Sequence, residues 1–335
     1  MGVRRGICRE SAIRRGVFDR FNTAALCAAV LFCAPVMAGP LAFITNQGED
    51  SVSVIDTAAG RVVDTIRLPA GSKPAGVGMS RDGSVVAVSN PLGRSVSLID
   101  GRTRALQATV AVSEGVVGVA VSPDGGRVYV ADWYAHRLAV YDVRQGKMVA
   151  TVPVGHSPAG IVVSADGRRV YVANRDDNSV ALLDAGKLHV VKTVPVGRHP
   201  FGLLLDETGR RLYTANVESN DVSVLSLPDL QPLATVKVGE RPYALAVSGK
   251  KLFVTDQYDN SVAVIDAAAL KMTGSIEVGE YPEGIATHPD GRHVYVANWM
   301  DNSVSVIDAE AERVVNTIKT GNGSRAFGQF MQPVQ

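Results

Sequence analysis

The chain has 335 residues, with 34 Lys and Arg against 33 Asp and Glu. That near-balance excludes a protein drawn to nucleic acid or anionic membrane by its overall charge. The three cysteines, Cys8, Cys27 and Cys33, all precede residue 39, which excludes cysteine nucleophiles, c-type haem attachment and cysteine zinc sites from the rest of the chain.

Residues 1–38 read as an export signal. Arg4, Arg5, Arg9, Arg14, Arg15 and Arg20 form a basic region, Thr23 to Val36 is apolar, and Val36-Met-Ala38 fits cleavage after Ala38. The apolar stretch is short for a spanning helix. Arg14-Arg-Gly-Val-Phe18 suits twin-arginine export and the apolar stretch suits the general route, so the route stays open. Phe32 before Cys33 argues against lipidation. Cleavage leaves residues 39–335 as one domain, with 28 Lys and Arg against 31 Asp and Glu, a net charge of −3. A periplasmic or secreted monomer that does not span the membrane is expected.

A tetrad then recurs: Phe43-Ile-Thr-Asn46, Ala87-Val-Ser-Asn90, Tyr129-Val-Ala-Asp132, Tyr171-Val-Ala-Asn174, Tyr213-Thr-Ala-Asn216, Phe253-Val-Thr-Asp256 and Tyr295-Val-Ala-Asn298. The spacings are 44, 42, 42, 42, 40 and 42 residues. The short step coincides with Ser248-Gly-Lys250, in place of the fuller turn of Ser122-Pro-Asp-Gly125. A period near 40 built from strands and turns means a propeller or a similar array. Asp290-Gly291 marks a tight turn before the last tetrad. Each unit supplies an inner strand (Pro158 to Ser164), the tetrad strand, a third strand (Ser179 to Asp184) and an outer strand (Val190 to Val194). The first tetrad has no inner strand before it, and Gly321 to Phe330 resembles an inner strand with no tetrad after it. The expected fold is therefore all-β: a seven-bladed β-propeller of four-stranded antiparallel blades, closed by the C-terminal strand completing the first blade.

The tetrads, Asn302-Ser-Val-Ser-Val-Ile-Asp308, Val154-Gly-His-Ser-Pro-Ala-Gly160 and Ser122-Pro-Asp-Gly125 together resemble the YVTN-repeat seven-bladed propellers. The resemblance covers nearly all of residues 39–335. It implies the fold, and relatives that include cytochrome d1-like propellers and proteins associated with quinone-dependent oxidation. Function has to be argued from the site, because one fold hosts many functions.

Several repeated residues read as structural. Six of the seven third strands end in Asp (Asp56, Asp100, Asp142, Asp184, Asp266, Asp308), with Ser226 in the other, and such residues shape the following turn. The tetrad Asn suits a strand-end turn. Gly76, Gly160, Gly202 and Gly284 suit close backbone approach near the axis.

Function should show where the loops of one face depart from the repeat. After the tetrads come Gln47, Pro91, Trp133, Arg175, Val217, Gln257 and Trp299, which include both tryptophans of the chain. Before the inner-strand proline come Lys73, Ser157, His199, Arg241 and Tyr281, with Arg325 as the equivalent in the closing strand. The next position holds Phe201, Tyr243 and Glu283, with Phe327 at the closing copy. The candidate binding residues are Trp133, Trp299, Arg175, His199, Arg241, Tyr281, Glu283, Lys73, Phe201 and Tyr243. This aromatic and cationic entry face suits a protein or a small anionic or planar ligand; inter-blade packing of the tryptophans is the alternative. His156 and His199, on adjacent entry loops, are placed to approach one another, while His288 and His293 fall on the opposite face as turn residues. No catalytic pair, metal site or cofactor is expected. A non-enzymatic periplasmic binding or scaffold role follows, and the resemblance implies a place beside a redox or quinone-dependent system. The alternatives are a lactonase-like hydrolase using Glu283 and a d1-haem-like redox propeller with His156 or His199 as axial ligand.

Overall fold

The computed structural model describes residues 39–333. The export segment, its cleavage after Ala38 and the three cysteines lie outside the described residues. Seven sheets follow in chain order, antiparallel except for one short parallel pairing at the ring closure. Blade four shows the pattern, with strands Pro158–Val163, Arg169–Asn174, Ser179–Asp184 and His189–Pro195 paired in sequence order. The seven-bladed, all-β expectation holds. Among the described residues no helix is long and apolar enough to cross a membrane.

Burial explains the sequence pattern. The tetrad strand Arg169–Asn174 is buried from its second residue onward, because neighbouring blades cover both faces. Its apolar run is therefore continuous, as expected for a sheet covered on both sides. The outer strand His189–Pro195 alternates between exposed and more buried positions because only one face is covered. Tyr171 is 2% exposed, and a side chain so buried contributes about 1.5–3 kcal/mol. Near the axis the inner strands approach too closely for a side chain. A Cβ on Gly160 would lie 2.2 Å from the Phe201 carbonyl oxygen of the next blade, and one on Gly202 would lie 2.3 Å from that of Tyr243.

The first blade has three strands of its own, Leu41–Asn46, Ser51–Asp56 and Arg61–Arg67. The C-terminal segment supplies the fourth. The amides of Phe43 and Gln47 donate to the carbonyls of Phe330 and Gly323, both at 2.9 Å, and those of Arg325 and Gln332 donate to Thr45 and Leu41 at 3.0 and 2.8 Å. Phe327–Gly328 also pairs in parallel with the second blade's inner strand, Gly76–Met79.

The third-strand aspartates shape turns, as the sequence suggested. Asp184 accepts from the amides of Gly186 and Lys187 at 2.9 and 2.8 Å, and those backbone donors hold its carboxyl below the usual range. The tetrad Asn has a different role from the strand-end turn expected of it. Asn298 is fully buried and donates to Ser303 and Ser305 at 3.0 and 2.9 Å, clamping the tetrad strand to the third strand. Asn46 and Asn90 repeat the clamp. In blade three Asp132 replaces Asn and Arg137 replaces the serine, 2.8 Å away.

Blade six has the substitution without the compensation. Asp256 is fully buried opposite Ser261, with Ala263 where the second serine would stand. Burial, aided by the nearby Asp259 carboxylate, pushes its pKa up to about 7. The fold thus prefers the neutral acid. That contribution is complete below the unfolded value near pH 4 and is lost as pH rises to about 7. Asp256→Asn restores the clamp and should raise the melting temperature by several degrees at pH 8, corresponding to at most about 4 kcal/mol. At pH 4 the gain should largely disappear. Equal gains at both pH values in thermal denaturation would refute this account.

Candidate functional site: the entry face and its axial plug

The entry face is assembled by a repeated backbone device. Each loop after a tetrad ends in a residue with left-handed backbone: Asp50, Arg94, His136, Asn178, Asn220, Asn260 or Asn302, with φ between 49° and 54°. Asn and Asp tolerate this conformation better than most residues. Each also ties the next blade's entry loop. Asn178 accepts from the Val196 amide on its carbonyl (2.9 Å) and from the His199 amide on its side chain (2.8 Å). Asn220 does the same for Val238 and Arg241, and Asn260 for Val278 and Tyr281.

The tied residues bind the following tetrad loop in turn. The Arg175, Val217, Gln257 and Trp299 amides donate to the carbonyls of Ser157, His199, Arg241 and Tyr281 at 3.0–3.2 Å. The two rings of residues distinguished in the sequence are therefore one lattice. It brings Lys73, Trp133, Arg175, His199, Arg241, Tyr281 and Trp299 to the same face. Phe201, Tyr243 and Glu283 lie beneath them, 7%, 8% and 1% exposed.

These three residues belong to a plug on the axis. The rings of Phe201 and Tyr243 stack with centroids 4.2 Å apart, and Phe327 meets them at 4.9 and 5.5 Å. Arg325 grips Glu283 through both oxygens, Nε to Oε2 at 2.5 Å and Nη2 to Oε1 at 2.8 Å. Gln257 donates to Glu283 at 3.1 Å, and the Arg325 guanidinium lies 4.7 Å from the Trp299 ring centroid. Burial opposes the Arg325 charge, but the Glu283 carboxylate and the Tyr243 hydroxyl outweigh it and raise its pKa above the ordinary value. Burial, followed by the Glu283 charge, raises that of Tyr243.

Arg325 departs from its expected place. Ser324 pairs with Asn46 as Pro282 pairs with Asn298, so Gly323 is the counterpart of Tyr281. Arg325 is the counterpart of Glu283 and belongs to the inner ring. The closing segment therefore delivers a cation to the axis exactly one blade beyond the only acid of that ring.

The charge of the face also differs from its appearance in the sequence. Arg175 pairs with Asp176, Arg241 with Glu218 at 2.7 Å, and Lys73 lies 3.7 Å from Asp50. His199 sits between Asp176 and Glu218, at 4.0 and 3.8 Å. The Arg241 hydrogen bond holds the Glu218 carboxyl below its usual range. Each candidate cation thus has a carboxylate neighbour. His156 does not meet His199. It contacts Asp177 at 2.7 Å and faces His136, with ring centroids 4.7 Å apart.

The outermost ring was not among the sequence candidates. It is formed by the second residue after each tetrad: Gly48, Leu92, Tyr134, Asp176, Glu218, Tyr258 and Met300. Leu92, Tyr134, Tyr258 and Met300 are 70%, 67%, 55% and 54% exposed. They occupy blades two, three, six and seven, with Gly48 between them on blade one. Asp176 and Glu218 occupy blades four and five. The rim thus has an apolar arc and an acidic arc. The sequence signal was available, since these residues depart from the repeat as clearly as the tryptophans beside them.

Below the plug the axis widens into a well of about 470 Å³, lined by inner-strand residues such as Val119, Ile161, Leu203 and Leu245 and by Arg81 and Pro333 toward the opposite face. Two aligned lines of evidence describe the class. The geometry is that of a seven-bladed β-propeller with a filled entry axis. Residues 147–229 match the lactonase seven-bladed β-propeller family, and residues 115–141 match the NHL repeat. No match was found among curated protein sequences. Among solved structures, hydrazine synthase of Kuenenia stuttgartiensis is similar at 22% identity and TM-score 0.66, over 75% of this chain and 87% of that one. A functionally unknown protein from Desulfotomaculum acetoxidans is similar at 16% identity and TM-score 0.71, over 86% and 99%. Dihydro-heme d1 dehydrogenase NirN in complex with DHE is similar at 16% identity and TM-score 0.65, over 83% of this chain and 63% of that one. These likenesses support the shared fold.

The plug generates a stability prediction. Glu283→Gln leaves the buried Arg325 charge without its partner and should lower the unfolding free energy by about 3–5 kcal/mol. Leu92→Ala on the exposed rim, where Leu92 is 70% exposed, should change it by less than about 0.5 kcal/mol. Denaturant titration checks both, and equal effects would show that the ion pair is not a structural element.

Proposed function

We propose that this is an exported, non-enzymatic propeller that binds a protein partner through the rim of its entry face. The partition of that rim carries the reading. Four large apolar side chains stand exposed at one loop position on blades six, seven, two and three, the position that holds Asp176 and Glu218 on blades four and five. Exposed apolar residues scattered singly need no explanation, but a contiguous group on one face marks an interaction surface. Tyr and Trp beside Arg are the residue types enriched at binding hot spots.

A partner spanning several blades suits this arrangement better than a small ligand. The aromatic plug fills the axial position where a small ligand would contact all blades. The paired cations also leave little unsatisfied positive charge for a small anion. A partner with an apolar or aromatic segment would complement the four exposed side chains, while Asp176 and Glu218 are already paired with Arg175 and Arg241. Placement beside a redox system is part of this proposal, and it is supported by the resemblance in the tetrads.

The alternatives lack a comparable basis. A lactonase-like hydrolase would need Glu283 as an acid or base, and Glu283 is buried and held by Arg325 and Gln257. The residues of this face do not fit a d1-type haem: His156 and His199 point to different partners, and the Phe201, Tyr243 and Phe327 rings pack together at the axis.

The test places a photo-crosslinking amino acid at Leu92, Tyr134, Tyr258 or Met300 in the native host. Irradiation should give the same discrete adduct from at least two of these positions and none from Val191, an exposed residue of an outer strand. Adducts that are absent, or as frequent at Val191, would overturn the reading. The same preparation tests export: the intact mass of protein from the cell envelope should begin at Gly39, and a retained leader would refute that part.

A further inference from the structure

One hairpin on the face opposite the entry loops breaks the repeat at two positions. In blades two, three and four the hairpin before the tetrad strand begins with a serine that donates to the aspartate two residues on. Ser80 reaches Asp82 at 2.8 Å, and Ser122 and Ser164 reach Asp124 and Asp166 at 2.6 Å. The strand that follows opens with Val85, Arg127 or Arg169. In blade seven these two positions are His288 and His293, on either side of Asp290. The hairpin itself needs neither histidine, since the other blades form it without them.

The three side chains converge on one point. Nδ1 of His288 lies 3.0 Å from Asp290 Oδ2, and Nδ1 of His293 lies 2.7 Å from the same oxygen. The three candidate ligand atoms all lie within 4.8 Å of one another. The other carboxylate oxygen is already occupied, accepting from the amides of Arg292 and His293 at 2.8 and 3.0 Å. Arg292, the nearest cation in sequence, is turned to Asp308 at 2.7 Å.

The first blade sets the tautomer of His288. Thr57 Oγ1 donates to the Pro40 carbonyl at 2.7 Å, so it accepts at its 3.0 Å contact with His288 Nε2. In the neutral ring Nε2 then carries the proton and Nδ1 presents its lone pair. The Asp290 amide reaches that nitrogen only at a long 3.2 Å. Nδ1 also lies 3.0 Å from a carboxylate oxygen, a contact that either a proton on Nδ1 or a bound cation makes attractive. His288 stacks on Tyr295, with centroids 5.9 Å apart, which fixes the ring plane.

We propose that His288, Asp290 and His293 bind a divalent transition-metal ion of the zinc class, with the remaining position open to solvent. Two imidazoles and a carboxylate favour zinc, cobalt or nickel over magnesium or calcium. Ligand atoms about 2.0–2.1 Å from a tetrahedral ion stand about 3.3 Å apart, so the 3.0 and 2.7 Å contacts to Oδ2 need to open by about 0.3 and 0.6 Å, and the two imidazole nitrogens, within 4.8 Å of one another, need to settle at the same spacing. The Asp290 and His293 side chains are 37% and 33% exposed, which gives the ion a path from solvent. Thr57 acts as a partner outside the ligands, orienting His288 as such groups do in metal sites. The ion would join blade seven to blade one at the ring seam. This site is independent of the entry-face reading.

The test is a cobalt titration of the full-length protein, followed by zinc displacement. The comparison variant carries His288→Ser and His293→Arg, the residues of blade four, and so keeps a hairpin the fold already uses. The wild type should bind one equivalent of cobalt with visible d–d absorption that zinc removes. The double variant should lose that equivalent, while any binding by the leader cysteines cancels in the comparison. Zinc should raise the melting temperature of the wild type and not of the variant. Thr57→Val should weaken binding about tenfold to a hundredfold. Equal binding by wild type and variant, or no binding by the wild type, overturns the site. An equivalent lost only on His156→Ala places the ion at the entry-face histidines and also overturns it.

Discussion

The molecule depends on the backbone hydrogen bonds between its last strand and its first. Residues 323–332 lie against Leu41–Asn46 and complete a sheet that the N-terminal part of the chain leaves with three strands. Without them two inner edges would stand open, one on blade one and one on blade two, and open edges invite wrong pairing. The same segment carries Arg325 and Phe327 to the axis. Closure of the ring and filling of its entry end are therefore one event. Glu283, on blade seven, acquires its partner only when the chain's end reaches blade one.

That coupling explains why the centre of the face is built for stability and its edge for contact. Glu283, Arg325, Phe201, Tyr243 and Phe327 satisfy one another's charge and surface. A ligand gains little by competing with a buried bidentate ion pair, because exposing either charge is costly. On the rim Tyr258 has Arg241 and Tyr281 beside its ring, yet it and its three counterparts keep more than half of their surface exposed. Leu92, Tyr134, Tyr258 and Met300 remain exposed in loops that end in the left-handed residues Arg94, His136, Asn260 and Asn302. Fixed loops lose little freedom on binding, which favours recognition by a preformed surface.

Much of the fold was legible because the repeat repeats its physics. The tetrad spacing gave the blade number, and the continuous apolar runs against alternating ones separated covered strands from outer strands. The Asp that ends six of the seven third strands gave their turns. What was not legible depends on contacts between residues far apart in sequence. Asn298 looks like a turn residue until Ser303 and Ser305 are placed beside it. Arg175, His199 and Arg241 look like free cations until Asp176 and Glu218 are brought to the same loops. The register of the closing strand was ambiguous by two residues, because Gly321 to Phe330 lacks the proline that marks the other inner strands. Only its pairing with the first tetrad strand shows that Arg325, and not Phe327, answers to Glu283.

The departures from the repeat separate into two kinds by whether the structure compensates them. Asp132 replaces a tetrad Asn, and Arg137 appears opposite it, so the exchange is internally balanced and asks for no outside partner. Arg325 and Glu283 are balanced in the same way across the seam. The exposed rim residues and the pair His288 and His293 are not. Tyr134 and Tyr258 keep most of their surface in water, and His288 and His293 crowd one oxygen of Asp290. These open departures, in a chain whose seven sheets repeat one pattern, are the ones to which the proposed partner and the proposed ion are assigned. Asp256 is the instructive exception, for its imbalance is buried and no partner can reach it. It costs stability above neutral pH and offers no surface, whereas the rim and the blade-seven turn are open to solvent. Accessibility, more than residue type, decides which irregularities of a propeller are sites.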